Sequence, residues 1–446
     1  MRTSVQLLGC FAALLTFEGI AGAAPTPKPA GPVPEPPASL GPDRVDAAVR
    51  AGISFLLTQQ QPTGAIADVG LGGKYQTALT SLAGLSLASA GHSPLDKSPE
   101  GVALRRAIYF VLRTDRQTAD GYFGSADRSV MHGHAVTTLF LCELLRSSAD
   151  PEQEELIRRK AASAHQFILL AQGTAKTARG DIGGWRYLPN ARDSDVPVTA
   201  WQLLALHAGA KAGFSVPPRN GQAAAQYLKN VYAAAYGLFD YGPRPTFVAP
   251  ATASREWTWT NIVKQVYRRE KYREGTFRVG YCYNCHFDPK VTTNIVQFYV
   301  PPQPNLFRPP DTILQPDGAR NNFSTTAMGL LGLRLCGFPN APEATAAANL
   351  LLETMRADPT AKDIAMGAWP FHATFFSTLA LQRHIEPHTS TARQFAERNF
   401  VIGQSPDGSW TDNFEGRQIG RVYCTSLAVL SLAAKYQRLA IYEPPK

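Results

Sequence analysis

Six times along this chain an amphipathic segment is followed by a Gly/aromatic loop and then by a run rich in Thr, Ala and Leu. The first unit has its amphipathic segment at 45–60, the loop Gly72-Gly73-Lys74-Tyr75 and the run 77–90. The third is the clearest, with Gly183-Gly184-Trp185-Arg186-Tyr187 before the run 198–212. The runs begin near Thr77, Thr137, Thr199, Thr326, Thr374 and Thr425, roughly 50 to 60 residues apart, with the step to Thr326 about twice as long. Leu203, Leu204 and Leu206, like Leu330, Leu331 and Leu333, leave the runs without a polar face, so they are helices buried on all sides. The amphipathic segments carry charge on one face, as at Arg158, Arg159 and Lys160, and are expected to face solvent. Six such pairs close into two concentric rings with no unpaired end, whereas an open array would need polar capping repeats. The predicted fold is therefore all-α: an α6/α6 toroid over 43–442, with a long, partly irregular insertion at about 241–321 in the fourth repeat.

The N-terminus reads as an export signal over 1–23. Arg2 is followed by the apolar run 7–15, and Ala21-Gly22-Ala23 gives a small-x-small cleavage pattern before Ala24. The Pro-rich stretch 24–42 is an extended linker. A periplasmic or secreted protein without a transmembrane segment is expected. Lys and Arg number 44 against 35 Asp and Glu, a formal charge of +9. Spread over this length, the excess reads as solubility, and no nucleic-acid partner is expected.

The loops Gly183-Gly184-Trp185, Gly367-Ala368-Trp369 and Asp407-Gly408-Ser409-Trp410, each followed by a Thr/Ala/Leu helix, resemble prenyltransferase and squalene-oxidase repeats. Such repeats occur in squalene-hopene cyclases and protein prenyltransferase β subunits. The third unit is similar to secreted bacterial squalene-cyclase-like proteins. The resemblance implies an α/α toroid with an axial cavity; it does not imply one activity, because one fold hosts many. Triterpene cyclases protonate an alkene with an Asp-x-Asp-Asp motif followed by Thr-Ala. Aligning on Thr199-Ala200 puts Asp195, Pro197 and Val198 at the acidic positions, and sliding to Asp193-Ser194-Asp195-Val196 still lacks the last acid. Protein prenyltransferases hold zinc with an Asp-x-Cys pair and a distant His; Cys424 matches the Cys, but Val422 stands at the Asp position.

Both family motifs being incomplete, two functions stay open. One is a toroid that binds a ligand or partner at its mouth, with Trp185, Tyr187, Trp201, Trp369 and Trp410 as its surface. Some of these aromatics would serve only to lock repeats together. The other is a divergent cyclase or lyase with Asp193, Asp195 or His134 as acid or base; His134 lies in Met131-His132-Gly133-His134, at a loop-to-helix junction.

The insertion adds a third reading. Cys282-Tyr283-Asn284-Cys285-His286 is the Cys-x-x-Cys-His attachment signature of c-type haem, with His286 as the iron ligand. A simple disulfide between Cys282 and Cys285 is an equal alternative, and a metal site completed by outside ligands is another. The stretch 264–278, mixing basic and aromatic residues, reads as a solvated arm.

Overall fold

In the computed structural model of this chain, residues 42–145, 151–234, 237–242, 323–357, 369–382, 388–412 and 415–443 are described. The expected signal peptide, nearly all of the Pro-rich linker, the insertion beyond 242 and the Gly367-Ala368 loop lie outside them. The described part is mostly helical. Its inner helices are α2 (Gln76–Ser89), α4 (Val130–Leu144), α6 (Val196–Lys211), α8 (Phe323–Leu335), α10 (Pro370–Leu381) and α13 (Arg421–Ala433). Each packs on the next, and α13 packs back on α2, so the circuit closes. Outside it lie α1 (Pro42–Thr58), α3 (Pro99–Val111), α5 (Pro151–Gln172), α7 (Pro218–Asn230), α9 (Pro342–Ala357) and α11 (His388–Gly403). Besides these there is a short α12 (Glu415–Gln418), and one departure from an all-helical reading among the described residues, a two-residue antiparallel pair, β1 (Tyr232–Ala233) with β2 (Leu238–Phe239). The pair carries the chain from α7 toward the insertion.

A role for the recurring Thr is visible at Thr199, Thr326 and Thr425, and in the first unit it falls to Thr80 and not to the expected Thr77. The loop before each inner helix must satisfy its backbone donors inside the protein. The Ile66 amide donates to Thr80 Oγ1 at 3.0 Å, Trp185 to Thr199 at 3.0 Å, Phe239 to Thr326 at 3.2 Å and Trp410 to Thr425 at 3.1 Å. In the second unit His134 Nδ1 takes this place, accepting from the Phe123 amide at 3.2 Å.

A Gln at the end of four outer helices joins each unit to its neighbour. Gln60 donates to Gly64 O and to Ala103 O of α3; Gln117 to Gly121 O and Lys160 O of α5. Gln172 donates to Gly183 O at 2.7 Å and Asn220 O of α7 at 3.0 Å. Gln404 bonds Gly408 O and Ala48 O of α1, both at 2.9 Å, and so ties the last unit to the first. The glycine in each pair has positive φ, and a Cβ there would strike the adjoining outer helix: 2.1 Å from Ala223 O at Gly183 and 2.3 Å from Ala51 O at Gly408. Glycine is required because the next helix is already in contact.

Inner-helix N-termini are capped by the loop of the following unit. Asp127 accepts from Thr77 N at 2.7 Å and Ala78 N at 3.1 Å. Glu415 accepts from Phe371 N and His372 N, and Asp68 from Arg421 N and Val422 N. At α4 and α6 the carbonyls of Tyr187 and Tyr241 accept instead, from Met131 N and Val196 N.

We expect Gly183→Ala to cost about 2–4 kcal/mol in urea unfolding, through positive φ and the Ala223 clash. Gly221→Ala, where nothing lies within 4 Å of the added Cβ in α7, should instead stabilise by about 0.5–1 kcal/mol.

Candidate functional site

The two ends of the inner ring differ. At the end where the inner helices finish, residues Ala440–Tyr442 turn across and are buried. Glu143 of α4 accepts from Ala440 N at 2.8 Å and Ile441 N at 3.0 Å. The Tyr442 hydroxyl donates to Leu430 O of α13 at 2.8 Å and bonds Ser89 of α2 at 2.9 Å; His207 of α6 meets Ala440 O. Four inner helices are thus tied together over that end. The other end, where the inner helices begin, carries the Gly/aromatic loops and is the mouth.

At the mouth, Asp195 is the N-cap of α6. Its Oδ1 accepts from Val198 N at 2.7 Å, and Pro197 behind it fits the first turn. Oδ2 is held by Arg186 at 2.5 Å and by the Tyr241 hydroxyl at 3.2 Å. Arg186 also reaches Asp193 at 3.0 Å and donates to Tyr241 Oη at 2.9 Å, while Tyr187 and Tyr241 share a hydrogen bond. The guanidinium lies 4.4 Å from the Tyr187 ring centre and 5.5 Å from that of Tyr241. Asp195 has no solvent exposure, whereas the Asp193 side chain is 59% exposed. Burial pushes the Asp195 carboxyl up to about 6, with Arg186 pulling the other way. Both of its oxygens face donors only, Val198 N, Arg186 and the Tyr241 hydroxyl, which is the setting of a carboxylate.

The other expected residues separate into two groups. Trp185 and Trp410 are buried, with their indole N–H groups donating to outer-helix carbonyls, Ile168 O at 2.9 Å and Phe400 O at 2.7 Å. They lock loops to outer helices. His134 is also a bridge: its Nδ1 accepts from Phe123 N, so its Nε2 carries the proton and meets Ala164 O of α5 at 3.1 Å. Burial holds it neutral, down at about 3.

Tyr187, Trp201 and Trp369 gather near the axis instead. Trp201 of α6 donates its indole N–H to His372 Nε2 of α10 at 3.0 Å, and its ring lies 5.6 Å from Phe375 and 5.1 Å from Phe376. Because α8 stands between α6 and α10 in the ring, this bond crosses the ring's interior, where Trp201, His372, Phe375 and Phe376 are all buried. Trp369 meets the edge of His372 at 6.3 Å. His132 of α4 is half-buried, with its ring 5.4 Å from that of Tyr187 and close enough to His372 to depress its pKa further. Burial is the larger cause for both imidazoles, lowering His132 to about 4 and His372 to about 3.

Arg186, Tyr241, His372 and Glu415 also shape the mouth; of these Arg186 stood inside a marked loop, Gly183-Gly184-Trp185-Arg186-Tyr187. Arg186 was adjacent to a marked loop Trp, and His372 lies three residues after Trp369 in a helix start, which is the signal available. Cys282, Cys285 and His286 lie outside the described residues. Cys424 is buried, and burial pushes its thiol pKa up, against the thiolate a metal requires. Among the described residues no three His, Cys, Asp or Glu side chains converge to hold a metal ion, and no helix is long and apolar enough to cross a membrane.

Removing the Arg186 charge leaves Asp195 buried and unpaired. Arg186→Met is expected to cost about 3–5 kcal/mol, and adding Asp195→Asn, which still caps α6, should recover most of it. Measured urea midpoints check both. The pH dependence has two opposing parts. His132, His134, His165 and His372 have folded pKa values lowered to about 4, 3, 4 and 3, so their contribution is lost as pH falls below the unfolded value near 6.5. Asp181 and Asp195, raised to about 6, and Glu415, raised to about 8, contribute stability that is lost as pH rises through those values. Four imidazoles outweigh three carboxyls on the acid side, so stability should peak near pH 7 and fall by pH 5. Thermal unfolding across this range checks it.

No family model matches the chain, and no curated protein matches it. Among solved structures, it matches the type II terpene cyclase MstE from Scytonema without ligand at 14% identity and a TM-score of 0.46, over 89% of this chain and 100% of that one. A variant of the same cyclase in complex with geranylgeranyl dihydroxybenzoate matches at 15% identity and a TM-score of 0.46, over 89% and 98%. A protein from Actinoplanes matches at 15% identity and a TM-score of 0.44, over 87% and 98%.

Proposed function

We propose that this chain is an exported six-hairpin α6/α6 toroid, with its insertion in the fourth hairpin, that binds a ligand at the mouth without acid-initiated cyclisation. The observation that supports it is the commitment of Asp195. A general acid needs a proton directed at the reacting atom. Both Asp195 oxygens are already engaged, one by the first turn of α6 and one by Arg186 and Tyr241. Asp193 is exposed and paired with Arg186, and both nitrogens of His134 meet main-chain groups. The aromatic side chains at the mouth that keep exposed surface, Tyr187 and Trp369, would supply the ligand contacts instead.

The competing reading is a divergent cyclase or lyase using Asp193, Asp195 or His134. Incubation with polyprenyl and glycan substrates separates the two. We expect no product beyond the no-protein control; turnover abolished by Asp195→Asn would establish the enzyme.

The insertion carries a separate proposal, covalent haem on Cys282 and Cys285 with His286 on the iron; bound there, the group would supply one-electron chemistry. Protein made in a host with a cytochrome c maturation system should show a Soret band that survives acid-acetone extraction and is lost in Cys282→Ala/Cys285→Ala. A colourless protein with neither thiol free would establish the disulfide.

A further inference from the structure

The end of the ring opposite the mouth carries a cleft of about 210 Å³. It lies between the second half of α6, the end of α8, the segment after α6 and the first turn of α7. Leu203, Leu206 and Ala210 form its α6 wall, Leu335 bounds it from α8, and Val216 and Gly221 complete it. Gly221 is the residue that keeps it open. It stands inside a helix, where glycine is unfavourable, and neither a positive φ nor a close neighbour requires a glycine there. A Cβ added to it would meet no atom within 4 Å. The position preserves space.

The walls restrict what can enter. The polar side chains that line the cleft are already engaged: Lys211 pairs with Glu443 at 3.2 Å, and His207 meets Ala440 O at 3.3 Å. The ammonium group is thus compensated and gives an acid no unmatched charge. The C-terminal ends of α6 and α8 bring partial negative charge to the same place, which disfavours an anion further. The Cys336 thiol also lines the cleft and stays uncharged, since burial pushes its pKa up to about 12. None of the lining residues is aromatic, so a flat ring would find no stacking partner. The space exceeds the roughly 150 Å³ apolar cavity that takes up benzene, so about six to eight aliphatic carbons fill it.

We propose that this cleft is a binding site for an uncharged aliphatic chain of about six to eight carbons, with the polar end of the chain directed outward past the exposed Ala210. Leu203, Leu206 and Leu335 receive the chain. The site is separate from the mouth and does not depend on what the mouth binds. Chain length decides affinity, because each carbon placed in the cleft leaves water and each carbon beyond it does not.

The test titrates the full chain with straight-chain 1-alcohols of increasing length and follows leucine and valine methyl signals by NMR. The signals of Leu203, Leu206, Val216 and Leu335 should move. Affinity should rise about fourfold per added carbon and level off at about eight carbons, where the cleft is full. Gly221→Leu places a side chain in the open space; it should leave the urea midpoint no lower than in the unaltered protein and remove these shifts. Octanoate should bind no more tightly than 1-octanol. Methyl signals at the cleft that stay fixed with every alcohol would refute the site. Affinity still rising fourfold per carbon well beyond eight, with shifts spread over the molecule, would show general partition into the protein and refute it equally. Unchanged binding in a folded Gly221→Leu variant would place the alcohol elsewhere and overturn the proposal. Octanoate binding tenfold more tightly than 1-octanol would contradict the uncharged class.

Discussion

The close contact of a loop glycine with the next outer helix, made at Gly64, Gly121, Gly183 and Gly408, is what the rest of this structure depends on. In the first unit Gly64 makes it and not the expected loop Gly72-Gly73-Lys74-Tyr75, at whose glycines an added Cβ meets nothing. An inner helix with no polar face cannot stand alone. It is stable only when both ring neighbours and the outer layer cover it, and that requires every unit to be held at one distance from the next. The Gln side chain sets the distance by bonding two carbonyls, one in its own loop and one in the neighbouring helix. The glycine allows it by leaving no Cβ at the contact. Gln404 applies the same rule between the last unit and the first, and Asp68 does so again by capping α13. Closure is therefore a repeat contact like the others, not a special joint.

The mouth follows from that geometry. Capping each inner helix from the following unit brings loop residues over the helix N-termini, where backbone N–H groups favour carboxylates and carbonyls. Asp127, Glu415 and Asp68 are used in this way, and Asp195 caps its own helix. The third and fourth units differ from the rest. There the caps are main-chain carbonyls, and the side chains of Arg186, Tyr187 and Tyr241 are released to form the network around Asp195. Tyr241 is the last aromatic before the insertion leaves the described residues, so the root of the insertion is fastened to the one buried acid of the interrupted motif.

Much of this was legible in the sequence, and the rest was hidden for physical reasons. The order of inner and outer helices followed from the Thr/Ala/Leu runs, since a helix apolar all round has only one place to be. The Gln at the end of an outer helix was not legible, because a polar residue closing a solvent-facing helix looks like a solvated end. The two histidines of the second unit were misphased by a turn. Starting the inner helix at His134 puts that imidazole at the mouth; α4 begins at Val130, which turns His134 against α5 and leaves His132 near the axis. Trp185 and Trp201 look alike in sequence, yet one is in a loop under an outer helix and the other on a helix facing the ring's interior. Asp195-Val196-Pro197 has the form of a helix cap, a local role that a search for acid motifs overlooks.

The account turns on the state of Asp195, an ion held by Arg186 and not a proton donor. Infrared difference spectra of the unaltered protein against Asp195→Asn at pH 7, with ¹³C-labelled aspartate, read this state directly. The account requires the difference to contain a lost carboxylate stretch and no lost protonated-carboxyl band. A lost protonated-carboxyl C=O band at pH 7 would contradict it, and would return Asp195 to the role of an acid.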